Sequence, residues 1–242
     1  MTISLPVLFE DECLIAVDKP AGMFVHRSEA DRNDTDVVVQ RVREHTGHFV
    51  YPAHRLDRAT SGIVLLAKSP DTAALVGALF AERRVRKVYR ALIRGHCETS
   101  GRIDTALIAA RGRDKPPGHP YREPQDAITE FQRLQTFEIP FCSDRYPTTR
   151  CSLVDVQPLT GRYHQIRRHF NYESHPVIGD TSHGDNRQNQ FYRSRFGLNR
   201  LMLAAVRLEF EHPMTQRSVV VECEPAAEFQ VLMEQLQPFQ LR

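Results

Sequence analysis

The chain has 242 residues, of which 41% are hydrophobic, so it is long enough to bury a sizeable core, and intrinsic disorder is disfavoured. No apolar run approaches the roughly 20 residues that span a bilayer, and the N-terminus lacks the pattern of a secretory signal. The five dispersed cysteines argue against a disulfide framework or a zinc ribbon. We therefore expect a cytoplasmic protein that does not contact membranes.

The formal net charge is only +2, but its distribution is uneven. Arginine accounts for 28 of the 32 basic residues, and residues 145–200 contain nine arginines against four acidic residues. The planar guanidinium binds phosphate bidentately and stacks on bases, so this region predicts a face that binds RNA. A GC-rich genome would also favour arginine, so the composition alone leaves both explanations open.

The hydrophobic pattern predicts more strands than helices. Strands are expected at 13–18, 63–67, 88–93, 127–137, 149–156, 201–210 and 218–223. Helices are expected at 71–84, capped by Ser69 or Asp71, at 163–172, and at 226–236, opened by Pro225. The polar segment 111–126, rich in Pro and Gly, is predicted to be an exposed connection.

Because the strands occur in adjacent runs, we predict an α+β fold with a mixed, largely antiparallel sheet flanked by helices. A single domain is expected over residues 1–242.

Residues 54–62, HRLDRATSG, form the sharpest local feature, a loop packed with functional groups directly before a buried strand. An aspartate between two arginines, here Asp57 between Arg55 and Arg58, is ordinarily a surface ion pair. This loop nevertheless resembles the signature of the RluA family of pseudouridine synthases. Other stretches match further motifs of that family, in the same order along the chain. They are LIAVDKPAGMFVH (14–26) before this loop, and VRKVYRALIRG (85–95), TGRYHQIRRH (160–169), HPVIGD (175–180) and the strands within 201–213 after it.

The resemblance implies that Asp57 is the catalytic carboxylate, that Tyr89 packs on the target base, and that Arg167 pairs with Asp57. A carboxylate can stabilise or capture the electron-poor sugar carbon when the N1–C1′ bond of uridine breaks. Tyr89 could stack on the uracil, relay its C5 proton, or be an ordinary core tyrosine. No cofactor and no metal are expected, because substrate and product are isomers.

The resemblance also suggests which residues contact RNA. Arg55 is the candidate to enter the space that the flipped base leaves, with a simple phosphate contact as the alternative. Arg58, Arg162, Arg168 and His183 are further candidates for RNA binding, although Arg162 and Arg168 could instead form structural ion pairs. We interpret His54, His164 and His169 as hydrogen-bonding scaffold, because no metal-ligand spacing occurs.

Within the family, RYPTTR (145–150) and GDTSHGDNRQN (179–189) resemble the TruC-type branch, whose members modify the T-stem uridine at tRNA position 65. We therefore predict a tRNA substrate and no obligatory protein partner. A ribosomal or other tRNA uridine remains an alternative. An RNA-binding protein without activity or a glycosidase also remains open, although a glycosidase would need a second carboxylate. Ala204 departs from the family, whose members usually have a histidine there. The resemblance also implies a catalytic cleft on one face of the sheet and a single catalytic domain over residues 1–242, with no additional N-terminal RNA-binding domain.

Overall fold

The computed structural model describes residues 5–26, 36–108, 123–143 and 145–241. The chain folds into two compact units. The first consists of Met1–Arg90 and Arg200–Glu234, and the second of Ala91–Asn199 and Gln235–Arg242. The single catalytic domain expected from the sequence stays a prediction.

The described residues contain twelve strands and five α-helices. The strands are β1 Val7–Glu10, β2 Leu14–Lys19, β3 Tyr51–Pro52, β4 Ser61–Ala67, β5 Arg86–Arg94, β6 Ser100–Asp104, β7 Leu107–Ile108, β8 Pro124–Gln125, β9 Ile128–Ile139, β10 Thr149–Pro158, β11 Leu203–Glu211 and β12 Ser218–Glu222. The helices are α1 Val38–Thr46, α2 Pro70–Ala81, α3 Gln165–Tyr172, α4 Asn186–Phe196 and α5 Ala227–Leu236. None of these helices is long and apolar enough to cross a membrane.

Strand β4 forms the centre of the first unit, where the strands lie in the order β1-β2-β4-β11, with β3 beside β4 and β12 beside β11. All seven residues of β4 are buried. A strand that is covered on both faces needs apolar residues at successive positions, which the run at 63–67 supplies. Strand β4 is antiparallel to β2 and parallel to β11, so this part of the sheet is mixed.

The ends of the first unit's helices follow ordinary capping chemistry. Helix α2 begins at Pro70, and the Ser69 side chain accepts a hydrogen bond from the backbone N of Thr72 at 3.1 Å. Helix α1 buries valines on one face and ends at Gly47, which adopts a left-handed conformation with φ of 72°. These caps fix where each helix joins the strands of the unit.

The second unit is built on a long antiparallel pair. Strands β9 and β10 pair along most of their length with one irregularity between Leu153 and Val154, and β6 pairs with the other edge of β9. Helix α4 begins after Asp185, whose side chain accepts hydrogen bonds from the backbone N of Arg187 and of Gln188. It ends at Gly197, with φ of 70°.

The predicted α+β class with a mostly antiparallel sheet is confirmed, and each predicted strand and helix has a counterpart. The structure differs from the sequence predictions in several details. Helix α5 begins at Ala227, so Pro225 lies before the helix rather than in its first turn. Helices α1 and α4 were not predicted, nor were the strands β1, β3, β6, β7 and β8. The sequence of α4 is largely polar. The predicted connection 111–126 lies largely outside the described residues, and Pro124–Gln125 within it form strand β8.

Candidate active site

Asp57 lies in the loop that joins β3 to β4, immediately before the buried run of β4. Leu56 is buried in the core, whereas Arg55 and Arg58 are exposed and Asp57 is half-buried. The backbone N of Thr60 donates to the carbonyl of Asp57 at 3.1 Å, which closes a tight turn. The loop is therefore anchored by its leucine, and it holds the Asp57 carboxylate at the boundary between core and solvent.

Lys19 stabilises this loop through hydrogen bonds to the main chain. Its side chain is 0% exposed, and its Nζ donates to three carbonyl oxygens, those of Pro20 at 3.0 Å, Met23 at 2.9 Å and Arg58 at 3.2 Å. The first belongs to the KPAG sequence, the second to the residue that follows it, and the third to the residue after Asp57. The lysine thus joins two segments that are far apart in sequence, and the loop geometry around Asp57 depends on it.

Main-chain contacts reinforce the same junction. The backbone N of Gly22 donates to the carbonyl of Arg58 at 2.8 Å, and the Nε of Arg58 donates back to the carbonyl of Gly22 at 2.8 Å. The Arg58 guanidinium also lies 4.8 Å from the centre of the Phe24 ring. Gly22 has a φ of 89°, a conformation that favours glycine and explains its place in the turn. Arg58 therefore stabilises the contact between the two segments, although it is exposed.

The electrostatic environment of Lys19 combines opposing effects. Burial lowers the pKa of Lys19 to about 7, whereas the nearby Asp57 carboxylate raises it. Three carbonyl acceptors match the three N–H groups of an ammonium, and they also favour the charged form. Lys19 lies within the LIAVDKPAGMFVH motif, but its structural role was not predicted, because a lysine is rarely fully buried.

Tyr89 lies on β5 and packs against the core cluster that includes Leu56. Burial raises the pKa of Tyr89, and the Asp57 carboxylate adds to the effect, so the two side chains are within electrostatic range. The phenol is consequently protonated at neutral pH. It can donate a hydrogen bond or offer its ring face, but it is not present as a phenolate base.

Arg200 and Glu228, which the sequence patterns did not single out, support the start of β4. The Nη2 of Arg200 donates to Ser61 Oγ at 2.7 Å, and its Nη1 lies 3.4 Å from Glu228 Oε2. At Gly62, with φ of 105°, an added Cβ would lie 2.1 Å from the carbonyl oxygen of Ala205. Only glycine allows this approach, which explains the glycine that ends the HRLDRATSG loop. The atypical Ala204 is buried and lies opposite Ser61 in the parallel register.

Arg167 lies in the second unit, on α3, and is buried. Its Nε lies 2.7 Å from Asp180 Oδ2, and its Nη2 donates to Asp180 Oδ1 at 2.8 Å, a bidentate ion pair. Asp180 Oδ1 also accepts hydrogen bonds from the backbone N of Ser182 at 2.9 Å and of His183 at 3.0 Å. Burial raises the pKa of Asp180, but Arg167 and these N–H groups outweigh it and lower the pKa. The pairing of Arg167 with Asp57 stays a prediction.

The other predicted RNA contacts of the second unit lie around α3. Arg162 Nε donates to the carbonyl of Asp126 at 3.0 Å, and Arg168 Nη1 donates to the carbonyl of Ile108 at 3.0 Å. His183 Nε2 lies 2.8 Å from His164 Nδ1. These contacts position the side chains, and their binding to RNA stays a prediction.

The hydrogen-bonding role predicted for three histidines is confirmed. His54 Nε2 accepts from the backbone N of Leu65 at 3.0 Å. His169 lies within hydrogen-bond distance of the Thr129 hydroxyl and the Thr105 carbonyl, both at 2.9 Å. His164 pairs with His183 as described above. His54 thus supports a strand of the first unit, and His164 and His169 support segments of the second unit.

The protein belongs to the RNA pseudouridylate synthase family, whose model matches residues 13–172. It is 42% identical over 235 residues to tRNA pseudouridine synthase C of Vibrio vulnificus, and the match covers 96% of each chain. It is 45% identical over 221 residues to the protein of the same name from Pasteurella multocida, with 90% of each chain covered. The predicted RluA-family membership is confirmed.

Solved structures agree with this assignment of the fold. The human protein RNA Pseudouridylate Synthase Domain Containing 4 matches with a TM-score of 0.72 and 25% identity, covering 98% of this chain and 94% of its own. RNA Pseudouridylate Synthase Domain Containing 1, also human, matches with a TM-score of 0.70 and 23% identity, with coverage of 96% and 94%. The predicted enzyme class, an isomerase that converts uridine in RNA to pseudouridine, follows from the family.

Proposed function

We propose that the protein isomerises a uridine in the T-stem of tRNA, at position 65, to pseudouridine. The names of the relatives in Vibrio vulnificus and Pasteurella multocida support tRNA as the substrate, because the similarity extends over nearly the whole of both chains. The segments 145–150 and 179–189, which resemble the same branch, support the choice of stem uridine. The cytoplasmic location and the independence from a protein partner remain predictions.

Asp57 is the catalytic carboxylate in this proposal. The reaction breaks the N1–C1′ bond, forms a C5–C1′ bond and removes the C5 proton, so the sugar carbon becomes electron-poor at an intermediate stage. A carboxylate can stabilise or capture that carbon. The observation that supports the role is the construction of its loop, since Leu56, Lys19 and the Gly22 contacts hold a half-buried carboxylate in one position.

Tyr89 and Arg167 complete the proposed machinery. Tyr89 offers its ring to the uracil, and its raised pKa makes the phenol a donor rather than a resting base. Arg167 supplies a positive charge for Asp57, and its orientation is set by the bidentate pair with Asp180. Arg55, which is exposed beside Asp57, is the side chain expected to enter the RNA when the uridine leaves the stem.

The test of the catalytic role compares Asp57→Asn with a matched control, Asp71→Asn, an exposed acid in the first turn of α2. Both proteins should fold and bind tRNA, because each change removes one charge outside the core. Only Asp57→Asn should lose pseudouridine formation. Turnover near that of the wild type in the Asp57 variant would show that the carboxylate is not required.

The substrate is tested with transcripts. A tRNA whose T-stem uridine is changed to cytidine should receive no pseudouridine, and a ribosomal fragment should be inert. Modification of the altered tRNA at another uridine would contradict the position. Modification of the ribosomal fragment in preference to tRNA would contradict the substrate, and binding without any pseudouridine would favour an RNA-binding protein.

A further inference from the structure

Tyr163 stands out among the exposed aromatic residues of the second unit. It is 56% exposed, yet one face of its ring is covered by the ring of His164, with centroids 3.7 Å apart and planes 20° from parallel. Tyr172, the last residue of α3, is 67% exposed and stacks on no ring within the described residues. A stacked ring with its other face open to solvent is a flat apolar surface of fixed orientation.

The ring beneath Tyr163 is held in place by unusual means. His164 has a φ of 52°, which places a non-glycine residue in the left-handed region directly before α3. Such a conformation costs on the order of 1 kcal/mol and persists only where the surroundings enforce it. His183 enforces it here, because its Nε2 lies 2.8 Å from His164 Nδ1 and its ring meets that of His164 at 80°.

The support extends to the arginine of the proposed machinery. Asp180 accepts a hydrogen bond from the backbone N of His183 with the same carboxylate that binds Arg167. The carboxylate thus fixes Arg167 on one side and the His183 segment on the other. The orientation of the Tyr163 ring is consequently coupled, through His164 and His183, to the orientation of Arg167.

We propose that Tyr163 is a stacking platform for a base of the substrate RNA that becomes unstacked when the target uridine leaves its stem. This rests on the proposed function, since removing a uridine from a helix leaves a neighbouring base without a stacking partner. Aromatic side chains bind such bases through their ring faces, whatever the base identity. Arg162, the residue before Tyr163, adds a positive charge that can attract a phosphate of the same RNA.

The test uses Tyr163→Leu, which keeps an apolar side chain but removes the ring, and Tyr163→Phe, which keeps the ring. Tyr172→Leu is the matched control. Stacking on an aromatic side chain is worth about 1–3 kcal/mol per base, so Tyr163→Leu should raise the KM for RNA by about 5- to 150-fold and change kcat far less. Tyr163→Phe and Tyr172→Leu should both match the wild type.

A second readout reports the contact directly. RNA that carries 2-aminopurine beside the target uridine should lose fluorescence on binding wild-type protein, and Tyr163→Leu should abolish that quenching. His183→Ala should weaken binding as well, and its effect should not add to that of Tyr163→Leu, because both act on one platform. Equal KM and quenching for Tyr163→Leu and Tyr172→Leu would overturn the proposal.

The two proposals fail in different ways. If wild-type protein modifies a ribosomal fragment rather than tRNA, the tRNA assignment fails, and the Tyr163 variants are then measured on the RNA that is modified. If the wild type modifies tRNA but Tyr163→Leu retains normal KM and quenching, the platform fails and the substrate assignment stands. Denaturation curves for each variant separate an altered surface from a loss of folding.

Discussion

Replacing Arg167 by methionine should reveal how strongly the second unit depends on its buried ion pair. The side chains of Arg167 and Asp180 are 5% and 0% exposed, so the change leaves a carboxylate without its counter-ion in a site largely closed to water. Breaking one partner of a buried pair typically costs about 3–5 kcal/mol. Two backbone N–H groups, from Ser182 and His183, still bind Asp180, which places the expected loss near the lower end of that range.

The loss should depend on pH in a specific direction. In the wild type the pKa of Asp180 is lowered below its ordinary value of 3.8, so the pair contributes stability at neutral pH, and this contribution is lost as pH falls through the folded pKa. In Arg167→Met, only the two backbone N–H groups still oppose the effect of burial, so the pKa of Asp180 should rise. The variant then regains stability as pH falls and the carboxyl becomes neutral, so the deficit should shrink between pH 7 and pH 4.

Urea unfolding at both pH values measures the free energy of unfolding of each protein. Arg168→Met is the matched control, because Arg168 is the next residue on α3 and donates to main-chain carbonyls rather than to a buried carboxylate. Its deficit should stay below about 1 kcal/mol at both pH values. A deficit for Arg167→Met that equals the control, or that does not change with pH, would refute the reasoning.

Arg167→Lys should restore turnover only in part, because an ammonium cannot bind a carboxylate bidentately.

Three further predictions concern the first unit. Lys19→Met should lower the free energy of unfolding by about 2–3 kcal/mol and reduce kcat, because three carbonyl acceptors lose their donor. The pKa of Lys19 is about 7 in the folded state and 10.5 in the unfolded state, so the stability of the wild type should rise with pH between these values. The stability of the variant should not rise in this way, which unfolding at pH 7 and pH 9 would measure. Gly62→Ala should destabilise by about 3 kcal/mol or more through its collision with Ala205, whereas Gly77→Ala, with open space in α2, should be neutral or stabilising in the same assay. Tyr89→Phe should keep tRNA affinity within about threefold because the ring remains, but should lose turnover in single-turnover assays; a loss of affinity instead would contradict the assignment of its hydroxyl to chemistry.

The outline of the fold follows from local sequence patterns. The apolar run at 63–67 predicts a strand covered on both faces, and β4 is entirely buried. Ser69 and Asp71 were the two candidate caps for α2, and the structure shows Ser69 as the cap. Both predictions succeed because the signal and its structural consequence lie within a few residues. Helix α4 was not predicted because it lacks an apolar face in the sequence, since two of its three buried residues are the polar Gln188 and Asn189.

The candidate site was only partly accessible from the sequence. The family motifs predict roles for Asp57, Tyr89 and Arg167, but they do not show what holds these residues in place. Lys19 contacts a carbonyl 39 residues away, and Arg167 contacts a carboxylate 13 residues away, at distances that no local pattern encodes. A signal for Asp180 was present in the HPVIGD motif, although its role as the partner of Arg167 required the structure.

In each unit, a buried charged residue holds in place one residue of the proposed machinery. In the first, Lys19 binds the main chain beside Asp57, and in the second, Asp180 binds the side chain of Arg167. Buried charges cost several kcal/mol unless they are fully paired, so they are tolerated only where their contacts are satisfied. The same contacts that satisfy these two charges also fix the geometry of the proposed catalytic groups. Loss of either buried charge should therefore lower stability and turnover together, even though neither Lys19 nor Asp180 is required to touch RNA.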